Sequence, residues 1–420
     1  MKILIIQHLF FLNGTGGTEK IACFLANNFF DQGYQVEIMT CENTNGKAMF
    51  PLYPEIKVTN IFDPGIEQLD LQPIYNYKGR NPFLWIKHKI KKKIAKRYNS
   101  KILEKVGGES MLYRFNLEKR ALNWKRHIDS VKPDLIITMS IASLLEITYQ
   151  NSIGIPIIDS VNGRPDYDFK DMFGSRKPFM VDLLTTAFMH LKGIQVLFES
   201  YKDYLPSSFT GKYVVIPNPV PQIEDTMLVN HDREKPRKRI IHIARLDVEC
   251  KQQNILIDIF SRLSDKYQTW DMELWGIGPD YNQLKDQIES LDLADRIYLK
   301  GFTKDPIRQL FKSDLFVFPS KYEGFPLALT EAMSIGLPCL GFSSCSGVNE
   351  LIQHEKTGYL ASSIADFEIY LTLLMNDPKK RAEFGIAAHE AMSKYAPEIV
   401  KASWNNFISE VIEGEGHRDQ

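Results

Sequence analysis

Short, near-continuous apolar runs alternate with amphipathic stretches along the whole of this 420-residue chain, and no other feature limits its fold more tightly. In the first half the runs are KILIIQ at 2–7, QVEIMTC at 35–41, DLIITMS at 134–140, IPIIDS at 155–160, IQVLF at 194–198 and KYVVIPN at 212–218. In the second half they are RIIHIAR at 239–245, MELWG at 272–276, RIYLKG at 296–301, LFVFPS at 315–320 and PCLGF at 338–342. A strand with one wet face alternates apolar and polar residues. A strand covered by helices on both faces does not, and such strands belong to parallel sheets. Helical patterns fill the gaps, as at Thr18–Gln32, Asn254–Lys266 and Tyr281–Leu291. Strand–helix alternation in two halves predicts an α/β protein of two doubly wound, Rossmann-like domains.

The turn-rich segment PNPVPQIEDTMLVNHDREKPRK at 217–238 marks the boundary, predicting domains at 1–216 and 217–396. Beyond them Glu398–Glu413 carries Trp404, Phe407, Ile408 and Ile412 at helical spacing. This C-terminal segment, 397–420, is expected to cap the second domain or to cross back onto the first.

A formal net charge of −1 gives no global attraction to nucleic acid, and none is expected as a partner. The five cysteines, Cys23, Cys41, Cys250, Cys339 and Cys345, are scattered and form no C-x-x-C pair. That pattern argues against a disulfide framework or a structural zinc and for a reducing, cytoplasmic setting. The opening MKILIIQHLFFLNGTGG has one Lys before its apolar run and no small-residue cleavage site, so it reads as a buried strand entering a glycine turn. No stretch reaches 18 apolar residues, and no transmembrane helix is expected.

One segment is compositionally unusual. In PFLWIKHKIKKKIAKR at 82–97, seven Lys or Arg lie between Lys87 and Arg97, interleaved with Phe83, Leu84, Trp85, Ile86, Ile90 and Ile94. A charge run is ordinarily a solvated helical face. The interleaved apolar residues support a second reading, a basic amphipathic segment lying on an anionic membrane surface. That surface is the partner expected for it.

Four motifs carry chemistry. Gly14-Thr15-Gly16-Gly17-Thr18-Glu19 follows the first strand and opens a helix, where glycines let backbone approach an anion and the helix N-terminus adds a positive field. It is not the G-x-G-x-x-G dinucleotide fingerprint. Arg245 and Lys251 follow strand 239–245, at the carboxyl edge where doubly wound sheets bind ligands, and their cations suit phosphate. Gly276-Ile277-Gly278-Pro279 follows the next strand and reads by itself as a tight turn. In Glu323-Gly324-Phe325-Pro326-Leu327-Ala328-Leu329-Thr330-Glu331 two carboxylates bracket the start of a helix whose first N–H groups lack partners. A diphosphate there would lie between them. His8, just past the first strand, reads as a hydrogen-bonded turn histidine or an acceptor contact. Asp166-Tyr167-Asp168 has the D-x-D pattern of metal sites, but two carboxylates are a thin magnesium site, so no metal is expected.

Together these residues resemble the retaining glycosyltransferases of the large GT4 family, which have the GT-B fold of two facing Rossmann-like domains with the active site between them. The resemblance rests on E-x7-E within EGFPLALTEAMSIGLP, on ARLDVECKQQNILIDIF, WGIGPDYNQL, YLKGF at 298–302 and SGVNELI at 346–352, and on GTGGTEK and VVIPNPV. It spans nearly the whole chain in family order. It implies that Arg245 and Lys251 hold the donor diphosphate, Glu331 the ribose and Glu323 the transferred sugar. Backbone at Gly16, Gly17, Gly324, Phe325, Pro326 and Leu327 would line the phosphates and sugar. Gly276 would complete the donor site, with the base near Gly301 and Phe302. Many members carry a His after the strand matching 155–160, where this chain has Asp159-Ser160-Val161-Asn162-Gly163-Arg164. Asn162, Arg164 and His8 are therefore the acceptor-side candidates.

The expected activity is transfer of a hexose from a nucleotide diphosphate sugar, UDP-sugar foremost, to a lipid-linked glycan in surface polysaccharide assembly. It would need no metal or cofactor and would take place on the inner face of the cell membrane. The alternatives are the same chemistry on a soluble acceptor, or a sugar-nucleotide epimerase of the same fold.

Overall fold

A computed structural model describes residues 1–77, 79–170 and 176–416. The described residues form two wholly parallel sheets. The first contains β1 (Lys2–Ile6), β2 (Gln35–Thr40), β3 (Lys57–Asn60), β4 (Leu135–Thr138), β5 (Ile157–Ser160), β6 (Gly193–Val196) and β7 (Lys212–Val215), in the order β3-β2-β1-β4-β5-β6-β7. The second contains β8 (Lys238–Ile243), β9 (Trp270–Trp275), β10 (Ile297–Gly301), β11 (Leu315–Phe318), β12 (Cys339–Phe342) and β13 (Gly358–Ala361), in the order β10-β9-β8-β11-β12-β13. In each sheet the order reverses beside the first strand, which leaves a crevice at the carboxyl ends. The chain folds as two Rossmann-like domains.

Both faces of the first sheet are buried, which explains its unbroken apolar runs. Ile3 and Ile5 pack with Ile38, Ile137 and Phe29 on one side, while Leu4 and Ile6 pack with Ile136, Trp124 and Ile194 on the other. Two strands have no counterpart among the expected runs. β3 (KVTN) and β13 (GYLA) are edge strands, and an edge strand needs little apolar length to pair.

Helix Pro397–Gly416 returns to the first sheet; the remainder of the expected segment, 417–420, lies outside the described residues. Val400, Trp404, Phe407, Ile408 and Val411 enter the first-domain core, and Trp404 meets Phe29 edge-on with ring centroids 6.3 Å apart. Gly193 on β6 makes room for this helix, since a Cβ there would lie 2.7 Å from the Phe407 ring. Exchange also runs the other way. Phe198 and Tyr201, just past β6, join the core of the second domain, where Phe198 stacks on Phe325 with centroids 5.5 Å apart.

Candidate active site

The site grows from the carboxyl ends of β8 and β11. After β8 the chain turns at Asp247, which caps the short helix Val248–Lys251 by accepting from the Cys250 N–H at 3.1 Å. Its second oxygen accepts from Arg245 Nη2 at 2.6 Å, so one carboxylate shapes the turn and aims the guanidinium. The Arg245 side chain remains 65% exposed. After β11 the Lys321 N–H donates to the Cys250 carbonyl at 2.8 Å, tying the Glu323 loop to the turn that carries Lys251. Lys251 Nζ consequently donates to Glu323 Oε1 at 2.5 Å, and both side chains are largely shielded from solvent.

Helix Leu327–Ser334 begins four residues after Glu323, with Pro326 at its cap and no side chain satisfying its first N–H groups. Its start faces the first domain, where a Cβ on Gly17 would lie 3.4 Å from Leu327 Cδ1. Glu331, one turn further along, is buried and accepts from Lys20 Nζ of the first domain at 2.5 Å. The domains also meet at Gly324, whose missing Cβ would sit 2.3 Å from the Asn162 carbonyl, and at Tyr201, which donates to the Gly324 carbonyl at 2.9 Å. Ser346 shares hydrogen bonds with Tyr167 and Tyr201 and donates to the Glu323 carbonyl. The arrangement presents one forked cation, two lysines each paired to one of two carboxylates, and a helix N-terminus along a single cleft. That set suits a ligand with a diphosphate in the middle and hydroxyls at each end.

Residues 224–391 match the family described as glycosyl transferases group 1. Over that span, the second domain, the chain resembles the group 1 glycosyltransferases. It is 28% identical over 325 residues to an uncharacterized glycosyltransferase of Methanocaldococcus jannaschii, covering 72% of each chain. It is 30% identical over 175 residues to a poly(ribitol-phosphate) alpha-N-acetylglucosaminyltransferase of Staphylococcus aureus, covering 41% of this chain and 35% of that one. The chain spans only 24% and 60% of the length of two other curated relatives it matches. Among solved structures, a variant of S. aureus TarM in complex with fondaparinux, alpha-GlcNAc-glycerol and UDP superposes with a TM-score of 0.70 at 16% identity, over 96% of this chain and 99% of that one. The architecture is the GT-B fold.

Several glycines of this chain are required by the fold itself. Gly276 has φ +142, and a Cβ there would lie 1.9 Å from the Ala244 carbonyl; its N–H donates to the Gly301 carbonyl at 2.8 Å. Gly301, at φ +71, opens the turn into the half-exposed Phe302. The glycine loop is filled from within. Glu19 is buried, accepts from Gln7 Nε2 at 2.8 Å, and places Oε2 2.5 Å from where a Gly16 Cβ would stand. Burial pushes the Glu19 carboxyl up, while hydrogen bonds from its own backbone, Gln7 and Gly16 hold it down. Glu19 thus caps its own helix in the reciprocal half of a capping box, which the sequence conceals because glycine replaces the usual Ser or Thr.

The acceptor-side candidates all have local partners. His8 Nδ1 lies 2.9 Å from Ser143 Oγ, and burial lowers its pKa, so it is neutral at pH 7. Asn162 Nδ2 donates to the Met139 and Ser160 carbonyls, each at 3.0 Å. The Arg164 guanidinium is held by Asp166 and lies over the rings of Tyr167 and Tyr204, with its Cζ 4.6 and 4.1 Å from their centroids. Asp166 is buried and spends its oxygens on Arg164 and Lys170. Among the described residues no group of three His, Cys, Asp or Glu could hold a metal ion. Lys20 and Ser346 lie within the runs GTGGTEK and SGVNELI, but the contacts they and Tyr201 make had no signal in the sequence, because the Lys20–Glu331, Tyr201–Gly324 and Tyr201–Ser346 partners lie more than a hundred positions apart.

Proposed function

We propose that this chain is a metal-independent retaining glycosyltransferase that moves a hexose from a UDP-sugar to a lipid-linked glycan during surface polysaccharide assembly. The observation that carries the reading is the Lys251–Glu323 pair at the start of helix Leu327–Ser334, with Arg245 open to the cleft beside it. On donor binding, Arg245, Lys251 and the free N–H groups of that helix stabilise charge developing on the departing diphosphate. Glu323 then exchanges its lysine for hydroxyls of the transferred sugar, and Glu331 takes the ribose. The acceptor hydroxyl attacks from the face the leaving group vacates, with a phosphate oxygen accepting its proton. This route retains configuration and needs no covalent residue. The names of relatives that act on poly(ribitol-phosphate) and poly(glycerol-phosphate) and of a neighbour holding UDP support a polymer acceptor and a uridine donor.

The cytoplasmic face of the membrane is the proposed workplace. Helix Pro82–Val106, capped by Asn81, leaves Phe83, Trp85, Ile86, Ile90 and Ile94 half or more exposed beside its lysines. No described helix is long and apolar enough to cross a membrane, so attachment would be peripheral, through this helix. The deciding experiment incubates the purified protein with a panel of nucleotide sugars and a lipid-linked acceptor and measures released nucleotide and glycosylated lipid. Nucleotide release without lipid product, alongside transfer to a soluble sugar, would replace the lipid acceptor by a soluble one. No turnover of any nucleotide sugar would overturn the reading.

A further inference from the structure

Glu331 is 5% exposed, and the ion-pair partner the structure gives it comes from the other domain, Lys20 Nζ at 2.5 Å. A buried carboxylate without a cation is strongly disfavoured, so the pair ties the burial of Glu331 to closure of the cleft. Lys20 occupies the first turn of helix Gly17–Asp31, immediately after Glu19. The two side chains diverge. Glu19 turns inward to Gln7 and the glycine loop, while Lys20 crosses the cleft with its side chain still 39% exposed. Only Oε1 of Glu331 accepts from Lys20, which leaves its second oxygen for a ligand. Gly17 faces Leu327 one turn away, so the bridge closes the wall beside the helix N-terminus where the diphosphate is proposed to lie.

We propose that Lys20 is a positioning residue for the donor. It fixes the Glu331 carboxylate in the orientation that receives the ribose hydroxyls, and it holds the first domain against the bound nucleotide. The inference rests on the reading of Glu331 as the ribose ligand. Losing Lys20 is expected to weaken the donor complex without touching the reacting atoms.

The test is a double-mutant cycle of Lys20→Met, Glu331→Gln and the pair, read by UDP titration calorimetry and by donor kinetics. Lys20→Met should raise the UDP Kd and the donor KM by roughly 10-fold, the scale of one charge-assisted hydrogen bond, with kcat nearly unchanged. Lys20→Arg should recover most of the loss. In the double variant the second substitution should add little, because the first has already broken the unit. Small-angle scattering should show wild type compacting on UDP and Lys20→Met failing to do so. Wild-type UDP affinity and KM in Lys20→Met, or strict additivity in the cycle, would overturn the inference while leaving the donor site standing. A Glu331→Gln variant that binds UDP like wild type would instead overturn the ribose reading and the inference with it.

Discussion

Lys251 and Glu323 neutralise each other across 2.5 Å, although 72 positions separate them in the chain and they belong to loops after different strands. The pair keeps a cation and a carboxylate oriented beside a helix N-terminus at little electrostatic cost before any ligand arrives. A diphosphate sugar offers each partner a replacement, phosphate for Lys251 and hydroxyls for Glu323. In the proposed mechanism, entry of the donor exchanges one set of charge-assisted contacts for another.

Removal of either cation should be felt chiefly in turnover. Lys251→Ala and Arg245→Ala are each expected to lower kcat by roughly 10²-fold, the scale of one lost contact to a developing oxyanion. Asp247→Asn should be milder than either, because an amide oxygen preserves the helix cap and loses only the ion pair to Arg245. Steady-state kinetics with saturating donor measures this, and wild-type turnover in both cation variants would exclude them from leaving-group stabilisation.

Glu323→Gln should discriminate between two ligands. Affinity for the nucleotide sugar should fall, while affinity for the nucleotide diphosphate alone should hold, since Glu323 is assigned to the sugar. Calorimetry with the two ligands side by side decides it; an equal loss for both would place Glu323 on the nucleotide.

Transfer should persist in excess chelator. Asp166 is committed to Arg164 and Lys170, and the proposed mechanism uses Arg245 and Lys251 where other enzymes use magnesium. Loss of transfer in chelator, restored by magnesium or manganese, would return Asp166 and Asp168 to consideration as ligands.

Stability should fall on mild acidification because of His242. This residue is fully buried in β8 with Nδ1 2.9 Å from the Val317 carbonyl, and burial drives its pKa from 6.5 down to about 4. Between those values the unfolded chain binds a proton that the folded chain refuses, so stability is lost as pH falls through the window. The shift corresponds to a loss on the order of 3 kcal/mol. Urea unfolding of wild type and His242→Phe at pH 7 and pH 4.5 measures it; the variant should lose less than wild type between the two, and equal losses would assign the acid sensitivity elsewhere.

Charge on helix Pro82–Val106 should govern membrane attachment. Lys89, Lys91, Lys92 and Lys93 changed together to Gln should reduce sedimentation with anionic vesicles, since each basic residue contributes about 1 kcal/mol at such a surface. Added salt should weaken wild-type binding, and activity on a soluble acceptor analogue should survive the change. Equal binding by wild type and variant at low and high salt would leave the segment a solvated helix.

The paired parallel sheets, the cleft and the motifs on its walls were legible in the sequence because each is written locally. A strand buried on both faces must be apolar throughout, as Lys2–Ile6 and Leu315–Phe318 are. A loop that feeds a helix whose first N–H groups have no side-chain cap leaves a recognisable run such as EGFPLALTE. The edge strand Lys57–Asn60 escaped notice because one wet edge relaxes the demand for apolar residues, and Gly358–Ala361 because its buried run is only four residues long. What tertiary structure alone decided is how groups far apart in the chain meet. Lys20 reaches Glu331 across 311 positions, Phe407 settles over Gly193, and Arg164 lies over the ring of Tyr204. No local pattern encodes these contacts. They depend on the angle at which two domains close and on the path of the last helix, which are set by the summed packing of both cores.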